Sequence, residues 1–196
     1  VSRGGGRSRR KRAHAHQETG EAAEAGGYGE RAGAMAREIG DRWAEAAAAL
    51  SRGTILRDLG VIDESRGFLE HSLALAKESG YRAARGDTLL ALGRLEAEAH
   101  RADAAARYFD DALELAQKLD APSKVVLAAA YRATLPGGDA EAAEQTRGRL
   151  EERLGSRDRM EARFVLWQAT RQPGHLEEAH RLLDSLCDAA PERRRE

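Results

Sequence analysis

Cysteine is almost absent: Cys187 is the single one in 196 residues, which excludes an intramolecular disulfide and suits a reducing compartment. Aromatic residues make up 5% of the chain against 41% hydrophobic residues in all, so any core must be aliphatic and rich in alanine. Alanine favours helix but fills little space. No apolar run approaches the roughly 20 residues of a membrane span, and the basic opening is not followed by the apolar stretch of a signal peptide. Cytoplasmic residence with no membrane contact is therefore expected. Neither sign of charge dominates: 32 Lys and Arg face 33 Asp and Glu, a net charge of −1, so the body of the chain has no electrostatic case for nucleic acid. A phosphate-binding loop is missing too, because Gly4-Gly5-Gly6 lies in a basic tail with no strand before it and no lysine-serine or lysine-threonine pair after it.

What the chain does have is a pattern stated twice. Ala36-Arg37-Glu38-Ile39-Gly40 returns as Ala76-Lys77-Glu78-Ser79-Gly80, and Gly53 meets Gly93, Leu50 meets Leu90, Ile55 meets Leu95, Leu73 meets Leu113 and Leu75 meets Leu115. The offset is 40 residues throughout. Tyr28, Phe68 and Tyr108 extend it upstream, and Ala36, Ala76 and Ala116 downstream. A fixed period in the range of roughly 20 to 50 residues marks a solenoid, in which each repeat buries its apolar face against its neighbours.

Each repeat reads as two antiparallel helices. Leu69, Leu73 and Ala76 recur at helical spacing, as do Phe109, Leu113 and Ala116, so each set shares a face. Asp63 and Asp103 stand where an N-cap is expected, and Gly40 and Gly80 where a helix must stop in the left-handed conformation. The best-marked repeats run from about Arg42 to Ser79 and from about Arg82 to Leu119. A fourth opens after Pro122, takes Val125 to Leu135 as its first helix, breaks at Pro136-Gly137-Gly138, and continues from a cap at Asp139 to Gly155. A last pair places Met160, Phe164 and Trp167 on one helix face and Leu176, Ala179, Leu183 and Leu186 on the next, with Pro173-Gly174 between them.

Gly53, Gly60, Ser65 and Ser72-Leu73, repeated as Gly93, His100, Ala105 and Ala112-Leu113, resemble the small and apolar positions of the tetratricopeptide repeat family. The period exceeds that family's usual 34 residues, and the first-helix tryptophan and terminal proline are missing. The longer period is similar to the extended-helix variety of bacterial signalling ATPases, kinases and transcription regulators. The resemblance implies an all-α fold, a right-handed superhelix of antiparallel helix pairs, acting as a protein-interaction scaffold without catalysis or cofactors. Its geometry, carried onto matching columns, assigns Thr54, Arg57 and Asp58, with Arg94, Ala97 and Glu98, to a concave groove that binds a peptide or helix of another protein, or another domain of a longer chain. The alternative is an intramolecular regulatory segment of a larger kinase, cyclase or ATPase.

The repeat domain is expected over residues 13–190, with 1–12 a basic disordered or frayed segment and 191–196 a polar tail. Gly20, Ala25, Tyr28, Ala32 and Met35 fit the second helix of an earlier repeat whose first helix is degraded, which points to a fragment of a longer array or a misplaced start. Chemistry-bearing groups are few. His14 and His16 lack ligand partners, and His175 and His180 are five apart, so they face different sides of a helix and miss the four-residue zinc spacing. His71 and His100 stand singly. Cys187, beside Leu183 and Leu186, is expected to be a small core residue. Trp43 and Trp167 are open between core and surface.

Overall fold

The computed structural model describes residues 31–189, and the expectations for the basic segment, for His14 and His16, for Tyr28 and for the polar tail lie outside them. Among the described residues every regular element is helical and none is a strand. A first helix, α1, covers residues 31–39. It is followed by α2 (Arg42–Asp58), α3 (Ile62–Glu78), α4 (Arg82–Glu98), α5 (Ala102–Lys118), α6 (Pro122–Ala133) and α7 (Ala140–Leu150). A 3₁₀ turn (Glu151–Arg153), α8 (Ser156–Thr170) and α9 (Pro173–Ala189) complete the described elements. The fold is all-α, built of consecutive antiparallel pairs as the resemblance implies. Its contacts divide the described residues into two compact units, with the division between Ala91 and Leu92, inside α4.

The 40-residue period resolves into two half-periods. Helices α2, α3, α4 and α5 are each 17 residues long and begin at positions 42, 62, 82 and 102. Three residues complete each half-period, as Leu59, Gly60 and Val61 do between α2 and α3. The residue two places before the start of each of α2 to α6 is left-handed: φ is +72° at Gly40, +76° at Gly60, +67° at Gly80, +58° at His100 and +48° at Asp120. Around it the same two hydrogen bonds recur. Gly60 N–H donates to the Arg57 carbonyl (2.8 Å) and Val61 N–H to the Leu56 carbonyl (2.9 Å), and His100 and Arg101 repeat them with Ala97 (3.1 Å) and Glu96 (2.8 Å). These are Schellman closures, which satisfy the orphan carbonyls of one helix while aiming the chain into the next.

Because the residue after the left-handed one already serves as the next N-cap, the predicted caps move. Val61 and Arg101 hold the N-cap positions of α3 and α5, neither with a side-chain cap. Asp63 and Asp103 fall in the first turn instead, where a carboxylate meets the positive end of the helix dipole, and Asp63 accepts a 2.9 Å hydrogen bond from Arg66. Asp41 and Asp139 are true caps, accepting from Ala44 N–H and Ala142 N–H at 2.9 Å each.

In the first compact unit α3 packs on α2 through small residues. A Cβ placed on Gly53 would stand 2.7 Å from Leu69 Cδ2. The buried hydroxyls of Ser65 and Ser72 donate to the Gly53 and Ala46 carbonyls at 2.7 and 2.8 Å. Ser72 also meets the Thr88 hydroxyl at 3.0 Å, so buried polarity is paired rather than stranded.

In the second compact unit the same crossing recurs, with Phe109 over Gly93. Phe109 stacks on Tyr131 (centroids 5.6 Å apart, planes at 12°). Beyond α5 the core is thin: Ala130, Ala133 and Ala143 with Val165 and Leu166, and Val126 with Leu154 and Ala162. Helix α6 starts at Pro122 itself and ends at Ala133 with Thr134 as its C-cap, earlier at both ends than the expected Val125 to Leu135, and Gly137 (φ +71°) lies in the turn that follows. Some positions in the last pairs need correcting. Gly155 is the N-cap of α8, and Pro173 starts α9 rather than turning before it. Phe164 and Leu183 are exposed, and the buried faces are Ala162, Val165 and Leu166 on α8 and His175 and Ala179 on α9. A spacing of three or four identifies a helical stripe but not which of two overlapping stripes meets the neighbouring helix. Leu113 is half-buried, whereas its counterpart Leu73 is buried.

Candidate functional site

The first trio assigned to binding lies at the end of α2. Thr54 is half-buried, and its hydroxyl donates to the Leu50 carbonyl of its own helix at 2.9 Å. Arg57 does not project into solvent: its side chain is 4% exposed, and its guanidinium holds Asp58 Oδ1 through Nη2 at 2.6 Å and Nε at 3.1 Å. The sequence reading of Arg57 as a surface residue is corrected on this point. An arginine stem buries like an aliphatic chain once its guanidinium is bonded. Asp58, at 63% exposure, is the member that solvent reaches.

The second trio lies at the end of α4. Arg94 is half-buried: its guanidinium carbon is 5.0 Å from the centre of the Tyr131 ring, and Nη1 is 3.2 Å from Glu161 Oε1. The Tyr131 hydroxyl donates to the same Oε1 at 2.6 Å, so α6 and α8 both hold this arginine. Ala97 is half-buried and Glu98 exposed. Asp58 and Glu98 are therefore the two exposed members of the six, and they occupy one column of the repeat.

A polar cluster that sequence reasoning missed joins α7, α8 and α9. Arg147 is buried and bonds Glu144 (Nη2 to Oε1, 2.5 Å) and Glu151. His175 is buried, with Nε2 3.6 Å from Glu144 Oε2 and Nδ1 3.4 Å from Arg163 Nη1. Loss of water pushes the His175 pKa down, the Glu144 carboxylate opposes that, and Arg163 and Arg147 reinforce it. Glu144 is held below its ordinary range chiefly by the hydrogen bond from Arg147, against the opposing effect of burial. Desolvation, followed by Arg147, lowers Arg163. The only hint in the sequence was the five-residue step from His175 to His180, which does put them on different sides: His175 is buried and His180 exposed. No group of three or more His, Cys, Asp or Glu able to hold a metal occurs among the described residues.

Cys187 is exposed, which overturns its placement in the core, since α9 turns its Ala179 face inward and Cys187 lies off that face. Trp43 is 51% exposed and meets Tyr81 edge-on at 5.8 Å. Trp167 is half-buried, tilted against Phe164 at 5.7 Å and capped by Arg171 at 5.1 Å. No described helix is long and apolar enough to cross a membrane.

Among the described residues, hollows open in both compact units. One, of about 290 Å³, is bounded by α1, α2 and α3 and lined by Gly33, Ala48 and Ala49 with Arg37, Arg52 and His71. Another, of about 300 Å³, lies in the second compact unit between the start of α6 and the end of α7, beside Pro122, Val125 and Leu150.

Residues 45–118, from the first turn of α2 to the end of α5, match the model of the tetratricopeptide repeat family. No curated protein matches the chain.

Proposed function

We propose that this chain, in which residues 45–118 are tetratricopeptide repeats, is a non-catalytic scaffold that binds a polar or charged segment of another protein through the outer positions of its first helices. Tetratricopeptide repeats are generally protein-interaction modules: stacked helix pairs supply a stiff support, and side chains outside the core are left for a partner. The observation that carries the reading is the 20-residue rhythm of α2 to α5, four helices of 17 residues with the same closure between them. That rhythm puts an exposed carboxylate at the same register position of each compact unit, Asp58 beside Thr54 and Arg57 in the first and Glu98 beside Arg94 and Ala97 in the second, with Arg57 and Arg94 bonded to Asp58 and Glu161. The long period favours placement in a cytoplasmic signalling or regulatory protein of the bacterial type.

The test is selection of binders from a displayed peptide library against the whole chain, followed by calorimetry on the variant carrying both Asp58→Ala and Glu98→Ala. Enriched peptides that lose about tenfold or more in affinity for the double variant, about 1.4 kcal/mol, support the reading. Enriched peptides indifferent to both substitutions overturn the column, and a library from which nothing is enriched overturns the module.

A further inference from the structure

Helix α9 is as long as α5 but far less anchored. Of its 17 residues only His175 and Ala179 are buried, whereas α5 buries Ala105, Phe109, Ala112, Leu115 and Ala116. Its leucines contribute less than their spacing promises, since Leu176, Leu182 and Leu186 are half-buried and Leu183 is exposed. It packs against α8, and His175 reaches Glu144 of α7 as well. One of its two buried anchors is thus a titratable ring in its first turn.

The surroundings of that ring accept it only while it is neutral. Arg163 of α8 sets Nη1 3.4 Å from Nδ1, and a guanidinium can only donate, so the contact needs Nδ1 as an acceptor, which a protonated ring does not offer. Glu144 of α7 lies 3.6 Å from Nε2, but its carboxylate is already bonded by Arg147 at 2.5 Å. Arg147 also bonds Glu151 of the 3₁₀ turn, which stands 3.6 Å from Arg163 Nη2. On α9 itself Glu178 is held by Arg181 at 2.5 Å. Glu144, Glu151 and Glu178 are therefore matched by Arg147, Arg163 and Arg181, and a proton on His175 adds an unmatched charge to a site that is 5% exposed. The positive end of the α9 dipole adds to the penalty. The ring's pKa accordingly lies below the ordinary 6.5, loss of water being the first cause.

We propose that α9 is an acid-sensitive latch: it docks firmly while His175 is neutral and opens, ahead of the rest of the fold, as the ring takes up a proton. In the opened helix the ring meets water and takes its proton at the ordinary value, so docking is at full strength above pH 6.5 and weakens as pH falls through the lower, docked value. Opening uncovers the side of α8 beneath α9. An element with few buried apolar side chains is the kind that opens by itself below the global unfolding limit. Neither Asp58 nor Glu98 takes part, so the latch and the binding column stand or fall separately.

The test is amide hydrogen exchange on the full chain, read by mass spectrometry as protection factors, which remove the intrinsic pH dependence of exchange. Protection of α9 is expected to lie about tenfold or more below that of α5 at both about pH 7.5 and about pH 5.5, the sign of a helix that opens by itself. Between those pH values it should fall about three- to tenfold, the larger figure being near the most that one group of ordinary pKa 6.5 exerts a unit below that value. His175→Gln, whose amide can accept from Arg163 and donate to Glu144, is expected to abolish the fall, and His180→Gln, at an exposed ring of the same helix, to leave it intact. Equal protection of α9 and α5, no fall in α9, the same fall in His175→Gln, or loss of the fall in His180→Gln each overturns the latch. If His175→Gln does not fold, the unsubstituted chain and His180→Gln decide.

Discussion

Phe109 lies over Gly93 so closely that a Cβ added to the glycine would stand 2.4 Å from the ring's Cε1, and Leu69 lies over Gly53 in the same way forty residues earlier. The helix crossing within each repeat is thus set by a glycine on the first helix and a large apolar residue on the second. The ring is fully buried and stacked on Tyr131, which leaves it nowhere to turn. Gly93→Ala is expected to destabilise by about 1 to 3 kcal/mol through overpacking, despite alanine's better helix propensity. Gly67, also inside a helix, has open space where a methyl group would go, with nothing within 4 Å, and Gly67→Ala is expected to stabilise by up to about 1 kcal/mol. Urea melts of both variants check the opposite signs.

Leu73 is 9% exposed and Leu113 is half-buried, although they share a column. Leu73→Asp is expected to cost on the order of 3 kcal/mol, because the carboxylate would be left without water or a partner, and Leu113→Asp clearly less. Thermal unfolding of the two variants side by side measures the difference.

Arg57 joins folding to the proposed contact column. Its buried stem and its bond to Asp58 give Arg57→Ala an expected cost of about 1 to 2 kcal/mol, and Asp58→Ala, which takes a carboxylate from the buried guanidinium, is expected to cost about 1 to 3 kcal/mol. Binding by Asp58→Ala is therefore compared only on chain shown to be folded. A melting temperature unchanged in Arg57→Ala would show that Arg57 burial contributes nothing.

His100 holds the left-handed junction position that Gly60 holds one repeat earlier, at φ +58° against +76°. A residue with a Cβ is strained there by roughly 1 kcal/mol, part of which is offset because glycine loosens the unfolded chain. His100→Gly is expected to stabilise by about 0.5 kcal/mol, read as a raised midpoint in urea.

His175 carries a pH dependence. Its pKa is held below the ordinary 6.5, first by burial, so between the two values the unfolded chain takes up a proton that the folded chain refuses. The associated stability is fully present above pH 6.5 and is lost as pH falls through the folded value. Arg163 and Arg147 face the ring and oppose its protonation, while Glu144 favours it. The melting temperature should therefore fall between about pH 7.5 and about pH 5.5, and fall less in His175→Gln. Identical slopes would remove His175 as the source.

The repeat, its period and most helix ends were legible in the residues alone, because they depend on contacts a few positions apart. Gly40 and Gly80 terminate helices through bonds to residues three to five positions back, and Asp139 caps through the amide three positions on. The small columns at Gly53 and Gly93 were legible for a related reason: the partners at Leu69 and Phe109 are repeated along with them. The half-period escaped notice because His100 and Asp120 do at two junctions what glycine does at three, and only backbone conformation reveals the equivalence.

Burial was settled elsewhere. Periodicity defines a stripe on a helix, but a stripe is buried only where another helix covers it. Phe164, Leu183 and Cys187 share apolar spacing with residues that are buried, yet they face outward. Arg57 and His175 look polar in sequence and are enclosed, because their ionic partners are enclosed with them or stand at the edge. The hollow at Gly33, Ala48, Ala49 and Arg52 is the sharpest case. These four residues are unremarkable one by one, and they line a cavity because α1, α2 and α3 bring them to one place. Where helices begin, end and repeat follows from the order of residues, through short-range backbone bonding. Which side chains are covered, paired or left facing empty space follows from the packing of helices, because those properties belong to pairs of residues distant along the chain.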